Sequence, residues 1–333
     1  MMRKFSRLPF SVIIFCAIAI LFSFSVGWYV SRAETLRETR DNIAQPIRYD
    51  DPHYPFISAL VGVGIPSGTG FPDLKHVRDD LQRAVDESIH AGKASDIGIY
   101  FRLPVNAHWL GINENDKFNP GSLIKAPIMA AYLKEAESSP SGLQRRIRYD
   151  RAKNDPLPNS LPPQLPADTY TAKKLIETMI IDSDNVAKNA LLDALNPASL
   201  QDIYDEMSFL QDSAGQITPK NYVRFLTRLY NATYINREYS NMALELLTKT
   251  TFNDGLVAGV PHDIKVAHKY GERGIYEENA VVGAELHDCG LVYAPNEPYY
   301  LCVMTKGTDT KVLASVIRTI SAIVYRDRDS FKP

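Results

Sequence analysis

The order of strand-like and helix-like segments constrains the fold of this chain more than any other feature. Two short strand-like runs, DIGIYF (96–101) and HWLGIN (108–113), precede a stretch from 150 to 260 whose signals are nearly all helical. From residue 264 the period changes, and IKVAHKYG, ELHDCGLVYA and YYLCVMTKG read as three antiparallel strands before an amphipathic helix over 311–325. We therefore predict an α+β domain whose sheet is assembled from both termini and carries a helical insertion.

One predicted helix is apolar almost all round. It follows Pro120 and Gly121, begins at Ser122 and continues through APIMAAYLKEAE, a pattern typical of a central, buried helix. Pro127 is tolerated only near a helix start, which supports an N-terminus at Ser122. Ser122 and Lys125 then share one face, with the hydroxyl among unpaired N–H groups that favour a nucleophile. The simpler alternative is an N-cap serine followed by a solvated lysine.

The first thirty residues predict a membrane anchor. Residues 8–30 carry no charged side chain, follow several basic residues and are long enough to span a bilayer as a helix. A cleaved signal peptide is the competing interpretation, but its apolar core is shorter and a small-residue cleavage site follows it. We predict a cytoplasmic tail (1–7), a transmembrane signal anchor (8–30), a stalk with a lead-in segment (31–75), and a catalytic domain (76–333) that faces the periplasm or cell exterior.

Composition argues against several other classes of function. The formal net charge is −2, the isoelectric point is near 6.4, and no basic stripe is interleaved with aromatic residues. These properties argue against a nucleic-acid partner. The seven histidines show no metal-ligand spacing, so we predict neither a metal site nor any other cofactor.

Two cysteines lie in apolar runs near the end of the chain. Cys289 and Cys302 flank the turn APNEP, which predicts a hairpin that brings them close together. A disulfide is permitted outside the cytoplasm, but we predict two buried thiols.

Three short motifs carry the candidate chemistry: S-x-x-K (122–125), S-D-N (183–185) between two predicted helices, and H-K-Y-G (268–271) at the end of a strand. Each motif has an ordinary structural interpretation when it is taken alone. Ser183 or Asp184 could cap the next helix, and Lys269 could be an edge-strand lysine that discourages aggregation. Their order, together with this helix and strand context, favours one shared site.

In this order the motifs resemble the signature of the serine penicillin-recognising enzymes, closest to the class A β-lactamases, which carry S-x-x-K, S-D-N and K-T-G. The resemblance extends over roughly residues 75–325 and includes the first two strands and the closing hairpin. It implies a β-lactamase/transpeptidase-like fold, in which a helix-flanked antiparallel five-stranded sheet packs beside an all-helical lobe. The active site is then expected between the sheet and the lobe.

The resemblance also implies a role for each motif residue. Ser122 would attack an amide carbonyl to form an acyl-enzyme, and Lys125 would take the serine proton. Ser183 would relay a proton to the leaving nitrogen, and Lys269 would provide positive potential for a substrate carboxylate. The implied substrate-binding residues are Asn185, Tyr270, Gly271 and Glu272.

The backbone is implied in binding as well. The N–H groups of Ser122 and Glu272 would form the oxyanion hole, and Gly271 would let substrate lie against the strand. Asn185 would hydrogen-bond an amide of the substrate side chain. The resemblance makes Asp184 a largely structural residue.

The chain departs from the family pattern at two places. Tyr270 stands where the family usually has threonine or serine, and it could either supply a more distant hydroxyl or obstruct the site. Between S-D-N and ITPKNYVRFL there is no room for the long loop whose glutamate positions the deacylating water, and no E-x-x-L-N is present. Glu206 is the one substitute that the sequence offers. We therefore expect acylation to be faster than deacylation.

The sequence thus predicts a membrane-anchored, class A β-lactamase-like serine hydrolase for β-lactam or peptidoglycan-type D-Ala amide substrates, with protein partners left open. Two alternatives remain: a D,D-peptidase or esterase, and a non-catalytic envelope-binding pseudoenzyme. The presence of two lysines and two serines in matched positions argues against the pseudoenzyme, because a binding module has no evident need for these four groups.

Overall fold

The computed structural model describes most of the predicted catalytic domain. The described residues are 52–58, 74–104, 108–151, 162–196, 198–199, 202, 214–277, 280–295 and 297–328. The predicted tail, the signal anchor 8–30 and most of the predicted stalk lie outside these residues. Within the described part, no helix combines the length and hydropathy needed to cross a membrane.

An antiparallel five-stranded sheet forms the centre of the domain, in the order β2-β1-β7-β6-β5. Its strands come from both ends of the described domain, as the sequence predicts. Their bounds are β1 Asp96–Arg102, β2 Trp109–Ile112, β5 Val266–Glu277, β6 Ala280–Val292 and β7 Tyr299–Gly307. A separate two-stranded sheet pairs β3, Arg146–Tyr149, with β4, Asp168–Thr171.

Helices cover both faces of the large sheet. On one face, α1 (Lys75–His90) and α7 (Thr310–Asp327) pack over one hydrophobic cluster. On the other face the helical lobe packs against the sheet, and the buried side chains of both form the larger hydrophobic cluster. The lobe helices are α2 Lys125–Ser138, α3 Ala172–Ile181, α4 Asn185–Ala194, α5 Pro219–Tyr230 and α6 Arg237–Leu247. This arrangement is the α+β fold that the sequence predicts.

The start of α2 differs from the sequence prediction. Residues Gly121–Ile124 form a 3₁₀ turn, and the α-helix begins only at Lys125. No side chain caps this helix, so the interpretation of Ser122 as an N-cap is wrong. The tighter turn places Ser122 one turn before the α-helix and leaves its hydroxyl free to contact Lys125. Lys125 itself is only 1% exposed, so it is not a solvated helix residue.

The prediction of two free thiols is also wrong. Cys289 and Cys302 form a disulfide across the neighbouring strands β6 and β7. The two residues are direct register partners with Cα atoms 3.9 Å apart, which places their side chains on the same face of the sheet. Both are fully buried, so the bond lies inside the larger hydrophobic cluster.

A short part of the predicted stalk packs on the domain. The Phe56 N–H donates to Asn241 Oδ1 at 3.0 Å, and the Tyr293 hydroxyl donates to the Phe56 carbonyl at 2.8 Å. Farther along, the Ser58 N–H donates to the Tyr230 carbonyl at 2.7 Å. Residues 52–58 therefore contribute to the folded domain, ahead of the predicted domain start at residue 76.

Candidate active site

The S-x-x-K motif brings a serine hydroxyl and a buried lysine together. Lys125 Nζ lies 2.9 Å from Ser122 Oγ, within hydrogen-bond distance. The same ammonium nitrogen lies 2.6 Å from the carbonyl oxygen of Ser183 and 3.0 Å from its hydroxyl. One lysine thus connects the first two motifs, although they are far apart in the sequence.

The S-D-N motif occupies a tight turn between α3 and α4. Ser183 has a φ of 55°, a left-handed conformation that is uncommon for a residue with a side chain. Asp184 supports the turn from three directions. Its carboxylate caps α4 by accepting from the Ala187 N–H at 2.6 Å, and it also accepts from the Tyr149 hydroxyl at 2.8 Å and the Gln164 N–H at 2.7 Å. The geometry agrees with a structural role for Asp184 and points the Ser183 side chain at the lysines.

Lys269 completes the cluster from the edge strand β5. Its Nζ donates to Ser183 Oγ at 3.0 Å and to the Tyr270 carbonyl oxygen at 3.3 Å. Although β5 is an edge strand, Lys269 is only 1% exposed, so its ammonium group cannot protect the strand edge from solvent. The Ser183 hydroxyl therefore lies between two buried lysines.

Burial makes both lysines unusually weak bases, and repulsion by other lysines adds to this effect at Lys125. Burial lowers the pKa of Lys125 well below its ordinary value, the positive charges of Lys269 and Lys188 lower it further, and Asp184 opposes the shift. Burial lowers the pKa of Lys269 to about 7, against the opposing effect of Asp288. A lysine with such a pKa is able to act as a general base near neutral pH.

Tyr270 lies directly on this cluster. Its ring centroid is 4.2 Å from Lys269 Nζ, and its ring stacks on Phe252 with the centroids 4.4 Å apart. Tyr270 is 7% exposed. Burial raises the pKa of its hydroxyl, and the neighbouring Ser183 side chain opposes this shift. Of the two roles that the sequence left open for Tyr270, a distant hydroxyl or an obstruction, the structure shows a ring that covers the lysine.

The Ser122 turn lies close against the backbone of β5. Gly121 has a φ of 50°, and a Cβ there would lie 3.0 Å from the Glu272 carbonyl oxygen and 3.2 Å from its nitrogen. A Cβ at Gly271 would overlap the Pro120 carbonyl oxygen. The two glycines therefore permit a close approach between the Pro120–Gly121 turn and the Glu272 backbone of β5, the strand segment that the resemblance implies in an oxyanion hole.

Sequence reasoning did not identify the residues that hold the Ser122 turn from behind. Thr305 N–H donates to His287 Nδ1 at 3.2 Å, so the Nε2–H of the neutral ring donates to the Asn119 carbonyl oxygen at 2.8 Å. The Asn119 N–H lies 3.4 Å from Glu285 Oε1. Burial lowers the pKa of His287 to about 4, which keeps the ring neutral. These contacts join strand to turn, and no local motif predicts them.

The other named positions fall at the edge of the site or outside the described residues. Asn185 is the first residue of α4 and is partly buried next to Ser183. Glu206, the suggested substitute base, lies outside the described residues. No group of three or more acidic, histidine or cysteine side chains in the described part of the chain could hold a metal ion.

Comparison with protein families places this cluster in context. The model of the beta-lactamase enzyme family matches residues 78–327, which contain all three motifs. The chain belongs to the beta-lactamase enzyme family. The match supports a serine hydrolase, and the matched region contains the cluster of Ser122, Lys125, Ser183 and Lys269. No curated protein sequence matches the chain.

Solved structures show the same fold at low sequence identity. A mutant of PBP-A in an acyl-enzyme complex with penicillin G matches with a TM-score of 0.65 and 24% identity, over 77% of this chain and 97% of that one. A β-lactamase from Xanthomonas campestris pv. campestris matches with a TM-score of 0.65 and 19% identity, over 75% of this chain and 98% of that one. A variant of the last common ancestor of Gram-negative class A β-lactamases matches with a TM-score of 0.65 and 22% identity, over 77% of this chain and 100% of that one.

Proposed function

We propose that this serine hydrolase forms an acyl-enzyme at Ser122 with β-lactam or D-Ala-type amide substrates, and that deacylation is the slower step. The observation that carries the proposal is the position of Lys125 Nζ, 2.9 Å from Ser122 Oγ and 3.0 Å from Ser183 Oγ. One amine thus contacts both the proposed nucleophile and the proposed proton donor.

The contacts of Lys125 fit a neutral amine. A neutral amine has two N–H groups and one lone pair, and Lys125 Nζ has three contacts in the site. The two N–H groups donate to the carbonyl and hydroxyl oxygens of Ser183, while the lone pair accepts the Ser122 proton. The lowered pKa of Lys125 favours this neutral state compared with an ordinary lysine. Lys125 is therefore the proposed general base for attack by Ser122.

Acylation then proceeds by two proton transfers. As the bond between Ser122 Oγ and the substrate carbonyl carbon forms, the serine proton moves to Lys125 Nζ. The carbon–nitrogen bond breaks as Ser183 gives its proton to the leaving nitrogen, and Lys125 returns a proton to Ser183 Oγ. The N–H groups of Ser122 and Glu272 would stabilise the oxyanion in between, and Asn185 would bind the substrate's side-chain amide.

Deacylation requires water to attack the ester at Ser122, which releases the acid and restores the hydroxyl. The sequence has no room for the loop glutamate that performs this step in class A enzymes. General-base assistance is typically worth about 10²–10⁴-fold in rate. Its loss supports the proposal that the acyl-enzyme accumulates.

The proposed location is the outer face of a membrane. The support is the uncharged run 8–30 and the basic residues that precede it, which favour a retained anchor with the domain in the periplasm or at the cell exterior. The Cys289–Cys302 disulfide is consistent with an oxidising compartment. N-terminal sequencing of the membrane-extracted protein tests the anchor, and a start beyond residue 25 would contradict it.

Labelling with a fluorescent penicillin tests the chemistry. We expect a persistent adduct on the peptide that contains Ser122, detected by gel fluorescence and mass spectrometry, and no adduct in Ser122→Ala. Rapid turnover without an adduct would disprove slow deacylation and support an efficient lactamase. If neither penicillin nor uncharged activated esters react at Ser122, the envelope-binding alternative is favoured.

A further inference from the structure

The Lys269 ammonium group is enclosed on several sides. Ser183 Oγ lies 3.0 Å away, the Tyr270 carbonyl oxygen lies 3.3 Å away, and the Tyr270 ring centroid lies 4.2 Å away. With 1% of its surface exposed, Lys269 offers almost no surface to a molecule in solution. The positive charge that should attract a substrate carboxylate is therefore already covered by the protein.

Packing holds the Tyr270 ring in this position. Its stack on Phe252 has an interplanar angle of 22°, and the ring also contacts the Lys269 ammonium group. The Phe252 segment is itself tied to the S-D-N region, since the Thr251 N–H and hydroxyl both donate to the Ile181 carbonyl at 3.0 Å. A ring that stacks on Phe252 and contacts the Lys269 ammonium group is not expected to move aside without losing both contacts.

We propose that Tyr270, supported by Phe252, fills the space in which an anionic group of the substrate would meet Lys269, so that the site selects acyl donors with no negative charge beside the scissile bond. The inference rests on the acyl-serine function proposed above and narrows its substrate class: uncharged esters or amides are preferred, and β-lactams or D-Ala-type amides that carry a carboxylate acylate Ser122 more slowly. Tyr270 acts here as a specificity-determining residue.

The charges around the ring support this selection. The carboxylates of Glu272, Asp288 and Asp182 each raise the pKa of the Tyr270 hydroxyl, so all three oppose a negative charge on this side of the ring. An anion that approached it would be repelled and would also lose water without gaining the lysine as a partner. Leaving a charged group without its partner in a buried site is costly, whereas an uncharged group has no such penalty.

Penicillin G and its methyl ester provide a matched pair of probes, because they share the β-lactam and differ in the charge of one group. We would measure acylation rates at Ser122 by mass spectrometry with the full-length protein. Wild type is expected to react faster with the methyl ester. Tyr270→Thr should accelerate acylation by penicillin G by about 10- to 100-fold, the range of one hydrogen bond to a charged group, with a much smaller change for the ester.

Three variants make the outcome specific. Tyr276→Thr makes the same chemical change on the same strand at a position 47% exposed, and it should leave the ratio of the two rates unchanged. Tyr270→Phe keeps the ring and should keep the preference for the ester, whereas Phe252→Ala removes the supporting ring and should weaken it. Tyr270→Phe and Phe252→Ala therefore test whether the aromatic ring sets the preference for the ester, even if Tyr270→Thr does not fold.

Failure of the inference is distinguishable from failure of the proposed function. A Ser122 adduct that forms faster with penicillin G than with its ester in wild type would overturn the inference alone. A rate ratio that is unchanged by Tyr270→Thr and Phe252→Ala would do the same. An absence of any Ser122-dependent adduct, with both reagents and in every variant, would overturn the proposed function and this inference with it.

Discussion

The two sides of the active site are built from different kinds of structure. On the helical side, Ser122, Lys125 and Ser183 come from one turn and two helix ends, and each residue belongs to a short motif. On the sheet side, Lys269 and Tyr270 come from an edge strand whose surroundings are supplied by remote segments. The comparison teaches that local sequence determines which groups react, whereas long-range packing determines what can reach them.

The supports behind the two sides also differ. A carboxylate that accepts three hydrogen bonds, Asp184, holds the helical side. A buried neutral imidazole, His287, holds the Ser122 turn against the sheet through one hydrogen bond to Asn119. On the helical side the Asp184 carboxylate is held by three hydrogen bonds, so the loss of one leaves two. On the sheet side the contact of His287 with Asn119 depends on the protonation state of the imidazole ring.

The largest expected effect tests the chemistry of the helical side. Lys125→Ala removes the proposed base and should lower the acylation rate at Ser122 by about 10²–10⁴-fold. Lys134→Ala, on the same helix at an exposed position, is the matched control and should acylate like wild type. Mass spectrometry gives the rates, and circular dichroism checks the fold. Acylation of Lys125→Ala at the wild-type rate would show that the base is a different group.

The same contrast explains how far the sequence could be read. The element order predicted the sheet and the helical lobe, because periodicity is a local property of the chain. The order of the three motifs and their family resemblance predicted that Ser122, Lys125, Ser183 and Lys269 share one site, although Lys125 and Ser183 lie 58 residues apart in the chain. The sequence could not predict the Phe252–Tyr270 stack or the His287–Asn119 hydrogen bond, since each joins segments whose relative position only the folded chain defines.

The two corrections have the same origin. The start of α2 at Lys125 depends on the close approach of Gly121 to β5, which selects a 3₁₀ turn over an N-cap at Ser122. The Cys289–Cys302 disulfide depends on strand register, which a hairpin pattern alone does not fix.

The second prediction concerns the neutral support on the sheet side. The pKa of His287 is lowered to about 4, whereas a histidine in the unfolded chain titrates near 6.5. The unfolded state therefore binds the proton first, so the stabilisation is complete above about pH 6.5 and is lost as the pH falls toward 4. The expected loss of unfolding free energy is roughly 3 kcal/mol.

Denaturant unfolding at pH 7 and at pH 4.5 measures this loss. His287→Gln does not titrate in this range, so its stability should fall less than that of wild type between the two pH values. An identical pH dependence in the two proteins would show that His287 is not the titrating support.

The third prediction tests the contact between the two sides. Gly271→Ala places a Cβ against the Pro120 carbonyl oxygen and should separate the Ser122 turn from β5. Overpacking of this kind typically costs about 1–3 kcal/mol of stability, and the displaced Glu272 backbone should also slow acylation. At Gly142 nothing lies within 4 Å of an added Cβ, so Gly142→Ala is the matched control. Equal stability and acylation in both variants would contradict the close approach.

The smallest expected effect tests the redundancy on the helical side. Tyr149→Phe removes one of the three hydrogen bonds to the Asp184 carboxylate and leaves the aromatic ring in the core. Because the Ala187 and Gln164 N–H groups still hold the carboxylate, the loss should be about 1 kcal/mol, with acylation unchanged. Tyr170→Phe, on the partner strand, loses only an exposed hydrogen bond and serves as the control in denaturant unfolding. A loss above about 3 kcal/mol, or slower acylation in Tyr149→Phe, would show that Tyr149 alone fixes the Ser183 turn. In that case the helical side would depend on a single contact, whereas His287 and Glu285 both contact Asn119 on the sheet side.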